Sequence, residues 1–164
     1  MRRNVACTRR INPDAKYNDV LMAKFINKLM FKGKKYVAEQ LFYTALENAA
    51  KEKNQDPKEF FGKVLENSQP SQGVFSRRIG GASYQVPFEI DLKKRPMYAI
   101  NFNIKSMRVL FRQNANIRTS IEALKNILIQ SFDNTGPAVT MKEELHKKAV
   151  ENAAFAHYRK MSVN

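Results

Sequence analysis

A chain of 164 residues is the size of one domain. Folding at that length buries roughly 70% of the unfolded surface, so no disulfide or metal is needed to staple it. Hydrophobic residues make up 43% and aromatics 10%, enough for a core, while 29 Lys and Arg against 15 Asp and Glu leave a net charge of +14. Such an excess repels itself unless a polyanion neutralises it, which narrows the partner to nucleic acid or an anionic membrane surface.

No apolar run approaches the ~20 residues that span a bilayer. The N-terminus has no apolar stretch of the kind a secretory signal needs, and the single cysteine, Cys7, excludes an intramolecular disulfide. The charge is unevenly spread: residues 1–36 hold ten basic and two acidic groups, whereas residues 37–68 hold four and six. The opening segment is therefore expected to face the anion and the acidic middle to face solvent or protein.

Residues 1–14 carry Arg2, Arg3, Arg9 and Arg10, Pro13 and no helical period, and read as an extended basic arm. From Asp19 the pattern is helical, with Met22, Phe25, Ile26 and Leu29 on one buried face. Lys24, Lys28, Lys32 and Lys35 recur at helical spacing on a neighbouring face, with Lys34 beside them, although Gly33 is expected to end the helix before Lys35. A second helix puts Ala38, Leu41, Phe42, Ala45 and Ala49 inward. Asp56-Pro57-Lys58-Glu59 opens a third, with Asp56 as cap, Pro57 at the first helical position and Glu59 able to reach back. Its apolar residues are Phe60, Phe61, Val64 and Leu65.

Residues 73–91 break the helical period. Ala82, Tyr84, Val86, Phe88 and Ile90 alternate as a half-buried strand, and Gly80-Gly81 is a two-residue hairpin signal after Val74 to Ile79. Pro87 cannot donate to a ladder, which predicts a projecting, edge-exposed ribbon. Lys93, Lys94, Arg95 and Pro96 lead into a fourth helix that ends near Gln113. A fifth aligns Ile117, Ile121, Leu124 and Leu128, and Asn134 to Pro137 end it. Thr140 with Glu143 predicts a capping box that starts a final helix through about Tyr158. The fold class is thus mainly α: six helices in a single domain, residues 15–160, with one projecting β-hairpin between the third and fourth and a short tail at 161–164.

Catalytic chemistry finds no support in this pattern. His146 and His157 are the only histidines, and a helix would separate them by ~16 Å, too far to share a metal. No Cys or carboxylate cluster has ligand spacing, and neither Gly33-Lys34-Lys35 nor Gly80-Gly81 has the glycine pattern of a nucleotide loop. No cofactor is called for. The lysine run is read as phosphate-contacting, because no acid falls between Asp19 and Glu39, whereas solvated helix faces mix both signs. Arginine forks match phosphate oxygens and lysines supply point charges. Arg77 and Arg78, adjacent on a strand, offer cations to both faces of the ribbon. Tyr84, Tyr98 and Phe102 sit at strand or helix period and are read as core, not as base-stacking platforms.

Three blocks carry a family resemblance: PDAKYNDVLMAKFINKLMFKGKK at 13–35, RIGGASYQVP at 78–87, and NTGPAV at 134–139 with AFAHYRK at 154–160. In this order and spacing the chain resembles the small-subunit ribosomal protein seven family of bacterial type. The resemblance implies a helical domain with an extended hairpin, bound to the 3′ major domain of small-subunit ribosomal RNA in the subunit head. It places ribosomal proteins nine, eleven, thirteen and nineteen nearby. Carried over by position, the basic arm, the first-helix lysines, Lys93 to Arg95 and the last helix with Arg159 would face ribosomal RNA. The tip formed by Arg77, Arg78, Ile79, Gly80, Gly81 and Ala82 would reach toward exit-site tRNA and messenger RNA.

The chain departs from the family pattern over residues 101–133, at Asn114 to Asn116, and at Lys160, where a tryptophan usually stands. Its high Asn and Lys content suggests an AT-rich coding sequence, which favours an organelle-encoded, mitochondrial copy over a bacterial or plastid one. The expected mechanism is charge neutralisation with shape recognition, since the deep groove of A-form RNA cannot be read by side chains. The runner-up is a DNA-architectural protein, but Gly80-Gly81-Ala82 offers no apolar wedge to pry base steps apart. A peripheral membrane role would need large apolar residues to spare, and the helix faces here are all required for a core.

Overall fold

The computed structural model describes residues 11–113 and 119–159. Arg2, Arg3, Cys7, Arg9, Arg10, Asn114 to Asn116, Ile117 and Lys160 lie outside the described residues.

The chain runs α1 (Val20–Leu29), α2 (Lys35–Glu52), α3 (Pro57–Ser68), β1 (Gln72–Ile79), β2 (Ala82–Glu89), α4 (Arg95–Gln113), α5 (Ser120–Phe132) and α6 (Gly136–Glu151), then a 3₁₀ segment, Ala153–Arg159. The expected architecture is therefore present: a mainly helical single domain with one antiparallel hairpin between the third and fourth helices. Helix α5 is central, packing against α2, α3, α4 and α6, while α1 lies against α2 and α4.

The core forms where the apolar periods of these helices meet. Met22, Phe25 and Ile26 of α1 are buried with Phe42, Ala45 and Leu46 of α2 and Phe60, Phe61 and Val64 of α3. Phe25, Phe42 and Phe61 form a ring cluster, with edge-on contacts of Phe61 to Phe25 at 5.7 Å and to Phe42 at 5.5 Å. That geometry sets a ring edge against a ring face, which the aromatic quadrupole favours. The buried polar atoms at the centre are mostly satisfied. Ser131 Oγ donates to Asn103 Oδ1 at 2.8 Å, and Asn103 Nδ2 donates to the Ala99 carbonyl at 2.9 Å. Asn67 Nδ2 donates to the carbonyls of Ser131 and Phe132 at 3.0 and 2.8 Å, so α3 closes the C-terminal end of α5.

Helix starts follow their caps. Asp19 accepts from the amides of Leu21 and Met22, Asp56 from that of Lys58, and Thr119 from that of Glu122. The end of the chain differs from expectation in two ways. Helix α6 begins at Gly136 with Pro137 in its first turn, so Thr140 lies inside the helix and donates to the Gly136 carbonyl instead of capping. It also stops at Glu151, and residues 153–159 continue as the 3₁₀ segment. The physical reason is tertiary: the segment turns onto the hairpin, where Phe155 and Tyr158 lie 5.2 and 5.3 Å from the Tyr84 ring.

The hairpin pairs Gln72 with Glu89 through Ile79 with Ala82. Gly80 and Gly81 have φ of +56° and +90°, the left-handed pair that a tight two-residue hairpin turn requires. Only its tip projects. Val86 is fully buried, and the ribbon's base packs on α6 and the 3₁₀ segment.

Phe42 is fully buried and touches the other rings of the core. Phe42→Ala is expected to cost about 3–5 kcal/mol of stability in urea unfolding. Val150→Ala, at a position 69% exposed, is expected to stay within about 0.5 kcal/mol of the native chain.

Candidate nucleic-acid interface

The lysines of the opening segment emerge from two different backbone contexts. Helix α1 closes when the Met30 amide bonds the Ile26 carbonyl. Lys32 and Gly33 then take φ of +51° and +76°, turning the chain sharply into α2. Lys32 is therefore in a turn and not on the helical stripe that its spacing predicts. The expected end before Lys35 holds. Lys28, Lys32, Lys34 and Lys35 are exposed and Lys24 is half-buried. Among the described residues no carboxylate pairs with Lys24, Lys28, Lys32 or Lys34, and Lys35 meets Glu39 at 3.6 Å.

Helix α2 turns all three of its carboxylates to internal use. Glu39, Glu47 and Glu52 meet Lys35, Lys16 and Lys125 respectively. Its acidity thus neutralises cations of this chain, in part, instead of simply facing solvent. At the start of the domain, buried Asp14 accepts the Tyr43 hydroxyl and the amides of Lys16 and Tyr17, the latter two at 3.2 and 3.1 Å. Burial and then the Asp14 hydrogen bond push the Tyr43 hydroxyl's pKa well above its usual value, so it remains a donor. The hydrogen bond from Lys16 in turn holds the Glu47 carboxyl below its usual range. Together these contacts fix the point at which residues 1–13 join the domain.

The two arginines near the hairpin tip divide. Arg78 is exposed. Arg77 is half-buried, and its guanidinium donates to the Tyr158 and Arg159 carbonyls. It clasps the 3₁₀ segment to the ribbon. Arg95 is likewise committed to the fold, its Nε donating to the Ile90 carbonyl at 2.9 Å and its Nη2 to Glu89 at 3.2 Å. Lys94 pairs with Asp91 at 2.9 Å, which raises the lysine's pKa and lowers the carboxylate's, while Lys93 and Arg159 are exposed. Tyr84 is enclosed by Phe155 and Tyr158, in line with a packing role.

Three cations escaped sequence reasoning. Lys105, Arg108 and Arg112 are all exposed on α4, and their i, i+3, i+7 spacing was the signal that would have found them. Arg108 and Arg112 line a cleft together with Lys34, so the exposed end of α4 extends the cationic surface of the α1–α2 turn.

The two histidines lie on different segments. His146 accepts the Ser71 amide on Nε2 at 3.0 Å, at the base of the hairpin, while His157 belongs to the 3₁₀ segment. Among the described residues no three His, Cys, Asp or Glu side chains gather as a metal site would require, and no helix is long and apolar enough to cross a membrane.

A small helical domain with a ribbon and a run of cations without carboxylate partners defines the class: a basic protein built to lie against a polyanion. The chain matches the family described as Ribosomal protein S7p/S5e over residues 1–153. It is 43% identical to the small ribosomal subunit protein uS7 of Petrotoga mobilis, over 97% of this chain and 99% of that protein. It is 45% identical to uS7B of Aquifex aeolicus over 92% and 94%, and 41% identical to uS7 of a Chelativorans species over 96% and 98%. The chain belongs to the ribosomal protein S7p/S5e family and is a structural component of the ribosome, not an enzyme. These relatives are bacterial and give no support to the mitochondrial origin suggested by composition.

Two outcomes test this reading of the hairpin base. Arg77→Ala is expected to speed amide exchange across residues 153–159 on the order of tenfold, with the helical core unchanged. Burial, then nearby Lys142, lowers the His146 pKa from 6.5. The folded state thus favours neutral imidazole, so this stabilisation is complete above about pH 6.5 and is lost as pH falls through the depressed folded value. Unfolding followed from about pH 7 down to about pH 5 should show a decline that His146→Gln reduces.

Proposed function

We propose that the chain is a structural constituent of the small ribosomal subunit that binds the 3′ major, head-forming domain of small-subunit ribosomal RNA. In this reading it fixes RNA helices that otherwise repel one another and so nucleates head assembly. The observation that carries it is the run of exposed cations from Lys28 through Lys34, which no carboxylate of the described residues neutralises. Counterions released when such a surface meets phosphates supply affinity, and the phosphate positions supply orientation. The names of the relatives, small ribosomal subunit proteins, support the assignment.

Lys24, Lys93 and Arg159 extend the RNA-facing set, and the arm's Arg2, Arg3, Arg9 and Arg10 would add to it. Lys35, Lys94 and Arg95 contribute less, because each already meets a carboxylate. The exposed tip, Arg78 to Ala82, reaches exit-site tRNA and messenger RNA. Ribosomal proteins nine, eleven, thirteen and nineteen are its neighbours in the head and platform. Residues 1–14 act as the arm of a domain spanning 15–160, with a tail at 161–164. The ribosome in question is bacterial in this reading, as in the relatives.

Affinity for a head-domain RNA fragment should fall with salt at a log–log slope of about −0.7 to −0.9 per neutralised phosphate, with about five phosphates engaged. A slope shallower than about −2 would remove the basic segments as the binding surface. In reconstituted subunits, Lys28, Lys32 and Lys34 changed together to Glu should block incorporation. A Gly-Ser turn in place of Ile79 to Ala82 should leave incorporation intact and lower exit-site tRNA occupancy. The opposite pair of results would mean that the two surfaces are assigned the wrong way round.

A further inference from the structure

The turn between α1 and α2 leaves a large aromatic side chain in water. Phe31 is 70% exposed and Val37 58%, and both line a surface that also includes the core residues Leu29 and Ala38. They line a cleft of about 400 Å³ with Met30, Leu41 and Met107. The remainder of its wall includes Lys34, Arg108 and Arg112 and, among the described residues, no carboxylate. The Lys32 ammonium lies 5.5 Å from the Phe31 ring centroid, so cation and ring form one surface. A soluble domain seldom leaves an apolar hollow rimmed by like charges unless something covers it.

We infer that this cleft receives unpaired bases of an RNA strand, with Phe31 as the stacking surface and Lys34, Arg108 and Arg112 holding the flanking phosphates. Two chemistries must be met together by the occupant: an apolar face to cover the ring and negative charge at its margin. An unpaired strand carries both in every nucleotide. Base–aromatic stacking is sequence-tolerant, because every base has a π-face, and phosphates within reach of the rim satisfy the three cations. The cleft is also continuous, through Lys32 and Lys34, with the cations proposed to face ribosomal RNA. The inference rests on that proposal and adds to it a second mode of contact. Phosphate binding alone would leave Phe31 in water; stacking gives it a partner.

The test compares two fluorescent probes on the full chain: an oligoadenylate, and a strand of the same length built from abasic nucleotides, which keeps the phosphates and lacks the bases. The native protein should bind the adenylate on the order of tenfold tighter than the abasic strand. Phe31→Ala should erase that difference, and Phe31→Trp should retain it. Because Phe31 is mostly exposed, neither change is expected to unfold the domain, and circular dichroism checks this. Lys34, Arg108 and Arg112 changed together to Gln should weaken both strands alike.

Equal affinity of the native chain for both strands would overturn the proposal, as would Phe31→Ala behaving as native. If Phe31→Ala binds both strands as native but is poorly retained in assembled subunits, a protein segment and not RNA occupies the cleft, and the proposal also fails. Binding of a head-domain RNA fragment is measured in parallel. Its loss in the native chain would sink the ribosomal RNA reading, whereas its retention alongside a failed adenylate test would sink the cleft alone.

Discussion

A chain with fourteen excess positive charges must hold itself together before any polyanion arrives. Apolar contact has to do most of this, because exposed ion pairs contribute little. The Phe25, Phe42 and Phe61 cluster and the fully buried α5 face of Leu124, Ile127 and Leu128 supply that contact. Repulsion among the cations is then tolerable provided that they stand apart from the core and in water. The fold meets that condition by ending α1 at Leu29 and projecting Lys32, Lys34 and Lys35 from a turn and a helix start.

The same constraint divides the cations into two sets that look alike in sequence. Lys16, Arg77, Arg95 and Lys142 are absorbed by the fold, bonded to Glu47, to the carbonyls of Tyr158 and Arg159, to that of Ile90 and to that of Asn67. Lys16, Arg77 and Lys142 each tie two distant pieces of chain together, while Arg95 ties the end of the ribbon to the start of α4. Among the described residues, Lys28, Lys32, Lys34 and Arg78 make no such ties and stand exposed. The division orders function as well. The internal set fixes the geometry of the arm's root and the ribbon, and the outer set presents charge from that fixed frame.

Much of the fold was legible because local physics and tertiary packing agreed. The α1 and α3 faces followed their apolar periods, and Asp19 and Asp56 cap helices that begin beside them. Where they disagreed, packing won. Thr140 and Glu143 satisfy the spacing of a capping box, yet Gly136 and Pro137 start the helix a turn earlier. The helical period also continues past Glu151, but the chain instead turns so that Phe155 and Tyr158, both half-buried, contact the Tyr84 ring. The site was less legible for the same reason. The partners of Arg77 lie 81 and 82 residues away, a distance no motif spans. Nor does spacing reveal that Phe31, directly after buried Leu29 and half-buried Met30 in the chain, is turned into solvent.

On the proposed function, the α1–α2 turn, and not the acidic α2–α3 side, faces ribosomal RNA. Lysine acetylation footprinting of the free protein against the assembled small subunit reads this directly. Lys28, Lys32 and Lys34 should become protected on assembly, while the exposed Lys51, Lys58 and Lys63 should react as they do in the free chain. Protection of the second group with continued reactivity of the first would place the acidic side, not the turn, against the RNA.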